Sequence, residues 1–410
     1  MRLEVLNTGS ELLLGQVQNT HLAFLATSLF PLGLAISRQT TVPDGPAIRD
    51  ALQETFGRAD IVLVTGGLGP TTDDITRETT AALLGLELVH DPEVEAAILA
   101  RFHARGIPVT PRVLRQAMKP TGAEVLKNPF GTAPGLYLPP QSLAGVSSPH
   151  LFLLPGPPRE LQPMVETAVI EKLRSLLPPR PDQHLRTWRV LGIPESTVEA
   201  TIGEALIARG IEPGYCARLG EVDIRVVGST EQIEAAEALI QECFSDAMLP
   251  SGARPLEEWL VEEMSRRQYT LATAESCTGG FIAHRITNVP GASAVLLSGW
   301  VTYSNASKIE LGVPAELIEQ QGAVSEAVAA HLAGCARKAS GATHALAATG
   351  IAGPGGAVPH KPQGTVFIAL SAPEGVRVEK HQFRTDRLSF KQLASQTALD
   401  MLRRSLMNLA

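Results

Sequence analysis

Ala274, Glu275, Ser276, Cys277, Thr278, Gly279 and Gly280 set a hydroxyl and a thiol side by side between an apolar run and a helical pattern. Residues 269–274 read as a short buried strand. Downstream, Phe281, Ile282 and Ile286 recur at helical spacing, so Ser276 falls where strand turns into helix. A serine at such an elbow can be a nucleophile: unpaired backbone N–H groups and the positive end of the helix dipole converge there, and both stabilise a developing oxyanion. The alternative is that Ser276 and Thr278 only cap the helix. Cys277 is a competing nucleophile, but no histidine stands at motif spacing to activate it. Side-chain directions also diverge sharply at a strand-to-helix turn, so two adjacent residues cannot both face one substrate.

A serine hydroxyl is a poor nucleophile until a base takes its proton. Gly291, Ala292 and Ser293, then Val301, Thr302, Tyr303, Ser304, Asn305, Ala306, Ser307 and Lys308, offer a second hydroxyl and an amine. Lysine serves as a base only where burial lowers its pKa, and a second hydroxyl can relay the proton when the amine cannot reach the nucleophile. Together these stretches resemble the CinA (competence/damage-inducible) family, and residues 255–410 look like its nicotinamide mononucleotide deamidase domain. The resemblance implies Ser276 as nucleophile, Ser293 as bridging hydroxyl and Lys308 as base, with no metal. It also implies substrate contacts from Thr278, Gly279, Tyr303, Asn305, the glycine-rich loop holding Thr349, Gly350 and Gly353, and Arg387, which matches the family position better than Arg384. By its chemistry that loop, after the apolar strand 344–348, brings backbone N–H groups to a phosphate or carbonyl. An arginine at the start of the closing helix, residues 390–406, can grip a nucleotide phosphate.

The elements upstream alternate strand and helix. Residues 3–7, 34–40 and 61–65 read as strands, 20–30 and 46–56 as helices, an order that predicts a doubly wound, mostly parallel sheet binding ligands at the carboxyl ends of its strands. Those ends carry Thr8, Gly9, Ser10 and Glu11, then Asp44 and Gly45, then the run from Thr65 to Asp74 with Gly66, Gly67, Gly69, Thr71 and Asp73. Glycines let backbone approach a ligand closely, and a phosphate can rest on the helix that Ile75 opens. Asp73 and Asp74 oppose an anion unless a divalent cation intervenes; either can instead cap that helix. With the loops at 128–135 and 155–160, these stretches resemble the molybdopterin-binding domain as it stands at the start of CinA proteins. That resemblance implies ADP-ribose pyrophosphatase activity with a divalent metal (Mg, Mn or Co), with or without potassium. It carries over Glu11, Asp44 and Asp74 as metal or phosphate residues, and Gly66, Gly67, Gly69, Thr71, Asn128, Gly131, Thr132, Pro155 and Gly156 as ligand contacts. A rival reading makes this domain a non-catalytic nucleotide or pterin sensor, or a docking module.

Proline-rich breaks at residues 178–181 and 250–252 divide the 410 residues into domains at 1–177, 182–248 and 255–410. The small middle domain reads as strands at 184–191 and 220–227 with helices at 195–207 and 231–244. It is similar to the KH-type domain of CinA proteins but lacks a GxxG loop flanked by basic residues, so it is expected to space or dimerise rather than clamp nucleic acid. Thirty-five basic against 42 acidic residues give a net charge of −7, which disfavours nucleic acid as the main partner and favours small-molecule chemistry; the resemblance implies nicotinamide mononucleotide and ADP-ribose as the nucleotides bound. Four scattered cysteines, no secretory segment and no apolar run long enough to span a bilayer predict a cytoplasmic protein, expected as a homodimer. Ten histidines show no zinc-binding spacing.

Overall fold

The computed structural model describes residues 1–143, 146–178, 183–250 and 252–409. Pro179, Arg180, Pro181 and Ser251, members of the two proline-rich breaks, lie outside them. The chain forms two compact units, Met1–Pro181 and Asp182–Ala410.

In the first unit a six-stranded sheet runs in the order Ile36–Val42, Leu3–Thr8, Ile61–Thr65, His150–Leu154, Gly135–Leu138, Glu124–Leu126. The first four strands are parallel, Gly135–Leu138 runs against them, and Glu124–Leu126 runs against Gly135–Leu138. Leu3–Thr8 and Ile61–Thr65 are buried along their whole length because helices cover both faces. Alternate residues feed opposite cores: Ile61 and Leu63 pack with Leu25, Phe152 and Leu161, while Val62 and Val64 pack with Ile48 and Leu52. The edge strand starts two residues later than expected, at Ile36, after a 3-10 turn over Phe30–Leu32 closed by Gly33. The chain leaves the central strand Leu3–Thr8 toward one edge and returns beside it to continue the other way. This makes the gap between Thr8 and Thr65 the crevice where doubly wound sheets bind ligands.

The second unit joins the small domain to the C-terminal one. An antiparallel sheet, His184–Leu191, Glu221–Gly228 and Pro213–Arg218, carries helices Glu195–Ile207 and Thr230–Phe244 over a core that includes Trp188, Ile202, Ile224 and Ile240. Pro213–Arg218 is not legible from sequence: it opens on Pro and Gly and lies at the sheet edge, half exposed. Arg403, buried on the closing helix, donates to the carbonyl of Asp246 at 2.6 Å and ties this small domain down.

The C-terminal sheet runs Leu296–Val301, Leu271–Glu275, His344–Gly350, Thr365–Ala372, Gly375–Gln382; the first three are parallel, Thr365–Ala372 runs against them, and Gly375–Gln382 runs against Thr365–Ala372. Helices Leu256–Arg266 and Arg387–Leu406 cover one face and Glu326–Ser340 the other. The two edge strands, Leu296–Val301 and Gly375–Gln382, have no counterpart in the sequence reading, since exposed residues interrupt both. Among the described residues no helix is long and apolar enough to cross a membrane.

Candidate functional site

Three parallel strands of the C-terminal sheet end side by side, and each is followed by one part of a site. Ser276 follows Leu271–Glu275, Thr302 to Lys308 follow Leu296–Val301, and the glycine-rich loop follows His344–Gly350. Ser276 is pinned through its amide to the carbonyl of Ala348, 2.9 Å away. The chain then reverses through Gly280, whose φ of 89° lies in the left-handed region, into helix Phe281–Thr287. Lys308 sits on helix Asn305–Leu311, which Ser304 and Ser307 cap reciprocally. Only 2% of Lys308 is exposed, and burial lowers its pKa from the ordinary lysine value. Its Nζ lies 3.2 Å from Ser276 Oγ, 2.8 Å from the carbonyl of Thr302 and 3.4 Å from that of Tyr303.

This contact removes the need for a relay, and Ser293 is not one. It lies exposed on the 3-10 turn Ala292–Ala294, which precedes strand Leu296–Val301, whereas Ser276 follows the parallel strand Leu271–Glu275. The two hydroxyls therefore stand at opposite ends of the sheet, separated by a strand that spans roughly 16 Å. The helix terminus is likewise not free for an oxyanion. Glu275, fully buried, accepts from the amides of Ile282 and Ala283 at 2.9 Å each. An acidic residue beside a helix N-terminus was a readable signal, but its role depends on the turn bringing the carboxylate round. Donors remain in the turn itself, where no backbone or side-chain oxygen accepts the amides of Cys277 and Thr278 among the described residues. Burial pushes the Cys277 thiol up to about 12, with Glu275 adding to the rise.

Ser276 and Lys308 open into a cavity of about 310 Å³ with Cys277, Tyr303, Asn305, Thr349, Gly350, Gly353 and Arg387 on its walls. Thr278 and Gly279 are not among them: Thr278 is wholly buried with its hydroxyl unpaired, and Gly279 faces outward, toward Lys391. Thr349 turns its hydroxyl to the carbonyl of Ala323, 2.8 Å away. Arg387 opens helix Arg387–Leu406 behind the N-cap Asp386 and donates to the carbonyl of Gly353 and to Tyr303 Oη, both at 2.7 Å.

In the first unit, Glu11, Asp44 and Asp74 share a cavity of about 500 Å³ with Gly66, Gly67, Gly69, Thr132, Pro155 and Gly156. Gly66 has no room for a side chain, since a Cβ would stand 2.5 Å from the carbonyl of Thr8. Thr71 is outside the lining; it holds Asp73 and Asp74 through its hydroxyl, and Asp74 thereby closes the loop instead of capping the next helix. Asn128 and Gly131 face a separate cavity behind their loop, because Asn128 is spent on the loop itself, accepting from Phe130 and Gly131 and donating to Ala133 and Glu160. Asp44 accepts from the amide and hydroxyl of Ser10. Among the described residues no three His, Cys, Asp or Glu side chains converge to hold a metal ion, so the three acidic residues do not form a ready ligand set. Sequence reasoning missed His21, which lines the same cavity. Its Nδ1 lies 3.2 Å from Thr65 Oγ, which accepts from Asn7, and burial lowers the histidine's pKa from its ordinary value.

Fold and site together define a multidomain α/β protein with a serine–lysine pair at the mouth of its C-terminal sheet. Residues 4–175 match the "probable molybdopterin binding domain", residues 185–246 the damage-inducible protein CinA KH domain, and residues 253–406 the CinA C-terminal domain. A CinA-like protein of Akkermansia muciniphila is 46% identical over 402 residues, 97% of this chain and 96% of its own. Another, of Dictyoglomus thermophilum, is 39% identical over 420 residues, the full length of both. Among solved structures, competence/damage inducible protein CihA from Agrobacterium tumefaciens is 40% identical, with 37% of this chain and 93% of its own covered at a TM-score of 0.35. The chain belongs to the CinA family.

Proposed function

We propose that the C-terminal domain hydrolyses the carboxamide of nicotinamide mononucleotide to nicotinate mononucleotide and ammonia, with Ser276 as nucleophile and Lys308 as base. The observation that carries this reading is the hydrogen-bond set of Lys308. A neutral amine has two N–H donors and one lone pair. The carbonyls of Thr302 and Tyr303 can only accept, so they take the two donors and leave the lone pair facing the Ser276 hydroxyl. Ser276 Oγ attacks the carboxamide carbon as its proton passes to Lys308, and the oxyanion meets the amides of Cys277 and Thr278. The C–N bond then breaks, Lys308 returns the proton, and ammonia leaves an ester on Ser276. Water attacks that ester by the same route, releasing the carboxylic acid. Arg387, now on two neutral acceptors, has a stronger partner in the nucleotide phosphate, a charge-assisted and bidentate one. Ammonia release from nicotinamide mononucleotide by the purified chain, absent in Ser276→Ala, tests the reading.

For the first unit a second reading, cleavage of ADP-ribose to AMP and ribose 5-phosphate, is supported by its cavity at the crossover point of the sheet. Five carboxylates, Glu11, Asp44, Asp73, Asp74 and Glu160, line this cavity and, among the described residues, no lysine or arginine does, so a diphosphate would need an accompanying cation. Since the acidic residues do not form a ligand set by themselves, no step is assigned to a metal. The sensor alternative predicts nucleotide binding without turnover, and AMP formation from ADP-ribose with divalent cation separates the two.

A further inference from the structure

Glu275 takes no part in the proton transfers above, yet it is the most constrained residue of the elbow. A buried carboxylate is costly unless its oxygens are satisfied. Glu275 makes no ion pair among the described residues, and each oxygen instead takes one first-turn amide, of Ile282 and of Ala283, at 2.9 Å. Its own carbonyl accepts from Thr302 N at 2.8 Å, and the carbonyl of Thr302 in turn holds Lys308 Nζ at 2.8 Å. One residue thus joins the nucleophile's strand to the helix beyond it through the side chain, and to the lysine's anchor through the backbone. We propose that Glu275 is the positioning residue of the Ser276–Lys308 pair, clamping the elbow so that the serine meets the amine and reserving the turn for the serine over its neighbour Cys277. The second effect follows from charge. Glu275, buried in the strand next to the thiol, opposes a thiolate there by its negative charge, while Lys308 and the amides of Cys277 and Thr278 act in the opposite sense on the same sulfur.

The catalytic arm of this inference rests on the deamidase reading; the thiol arm does not. Glu275→Gln keeps the length and one acceptor but removes the charge, whereas Glu275→Asp keeps the charge but is too short to reach both amides. In folded Glu275→Gln, kcat for ammonia release is expected to fall about tenfold with KM within about twofold, and alkylation of Cys277 at pH 9, read by peptide mass spectrometry, to quicken several-fold. Unchanged kcat in a folded variant overturns the positioning role, and an unchanged alkylation rate overturns the selection of serine. Should Glu275→Gln not fold, Glu275→Asp decides: faster amide exchange at Ile282 and Ala283 with slower turnover supports the clamp, and wild-type exchange overturns it. A chain that never releases ammonia from nicotinamide mononucleotide still gives the alkylation and exchange results.

Discussion

Lys308 and Ser276 make the sharpest demands on experiment. Lys308→Arg keeps a cation but, with a pKa too high to deprotonate, cannot accept the serine's proton, so deamidation should fall by roughly three decades, as in Ser276→Ala. Cys277→Ala should retain most activity; a folded but inactive Cys277→Ala enzyme would instead make the thiol the nucleophile. Because burial lowers the pKa of Lys308, kcat/KM should climb with pH and level off below the roughly 10.4 of a free lysine. The same shift gives the unfolded chain the greater proton affinity between the two pKa values. Stability relative to Lys308→Met should therefore rise as pH rises through that window and fall as pH drops, which thermal melts at pH 7 to 10 would show.

At the scale of elements, the strand-to-helix turn at 276 and the helix start at Arg387 bring distant residues to one mouth. Truncating Arg387 to Ala removes its bonds to Gly353 and Tyr303 as well as the phosphate partner, and should raise KM for nicotinamide mononucleotide about tenfold with a smaller change in kcat; an unaltered KM would place the phosphate elsewhere. In the small domain, Arg189 and Asp223 form a buried bidentate pair at 2.7 and 3.0 Å on adjacent antiparallel strands. Asp223→Ala removes that bidentate partner and leaves the guanidinium with Glu221 at 3.4 Å and the carbonyl of Arg254, and denaturant titration should show a loss of about 2 kcal/mol. Central elements were legible because continuous apolar runs such as Ile61–Thr65 carry their own signal. Leu296–Val301 was not, although it delivers Thr302 to the lysine. As an edge strand it alternates half-buried and exposed residues around Gly299 and is identified only by pairing with Leu271–Glu275.

Across the whole molecule, the two compact units each hold a cavity lined only by their own residues. Asp74→Asn should therefore leave ammonia release untouched while diminishing ADP-ribose cleavage; loss of both activities in a folded protein would mean that the units are coupled. The linear chain determined the order of domains, the crossover loops and the candidacy of Ser276, because apolar periodicity and small-residue turns are local properties; Lys308 became a candidate through the resemblance to CinA proteins. Tertiary structure alone decided which side chains meet. It placed Ser293 at the far end of the sheet, since a parallel strand carries the chain from one end to the other before Lys308 is reached. It gave the first amides of helix Phe281–Thr287 to Glu275, and it left Glu11, Asp44 and Asp74 in one cavity without convergence. Burial of Lys308, on which the chemistry turns, is likewise a property of the packed sheet and of two carbonyls, not of the residues that flank it in sequence.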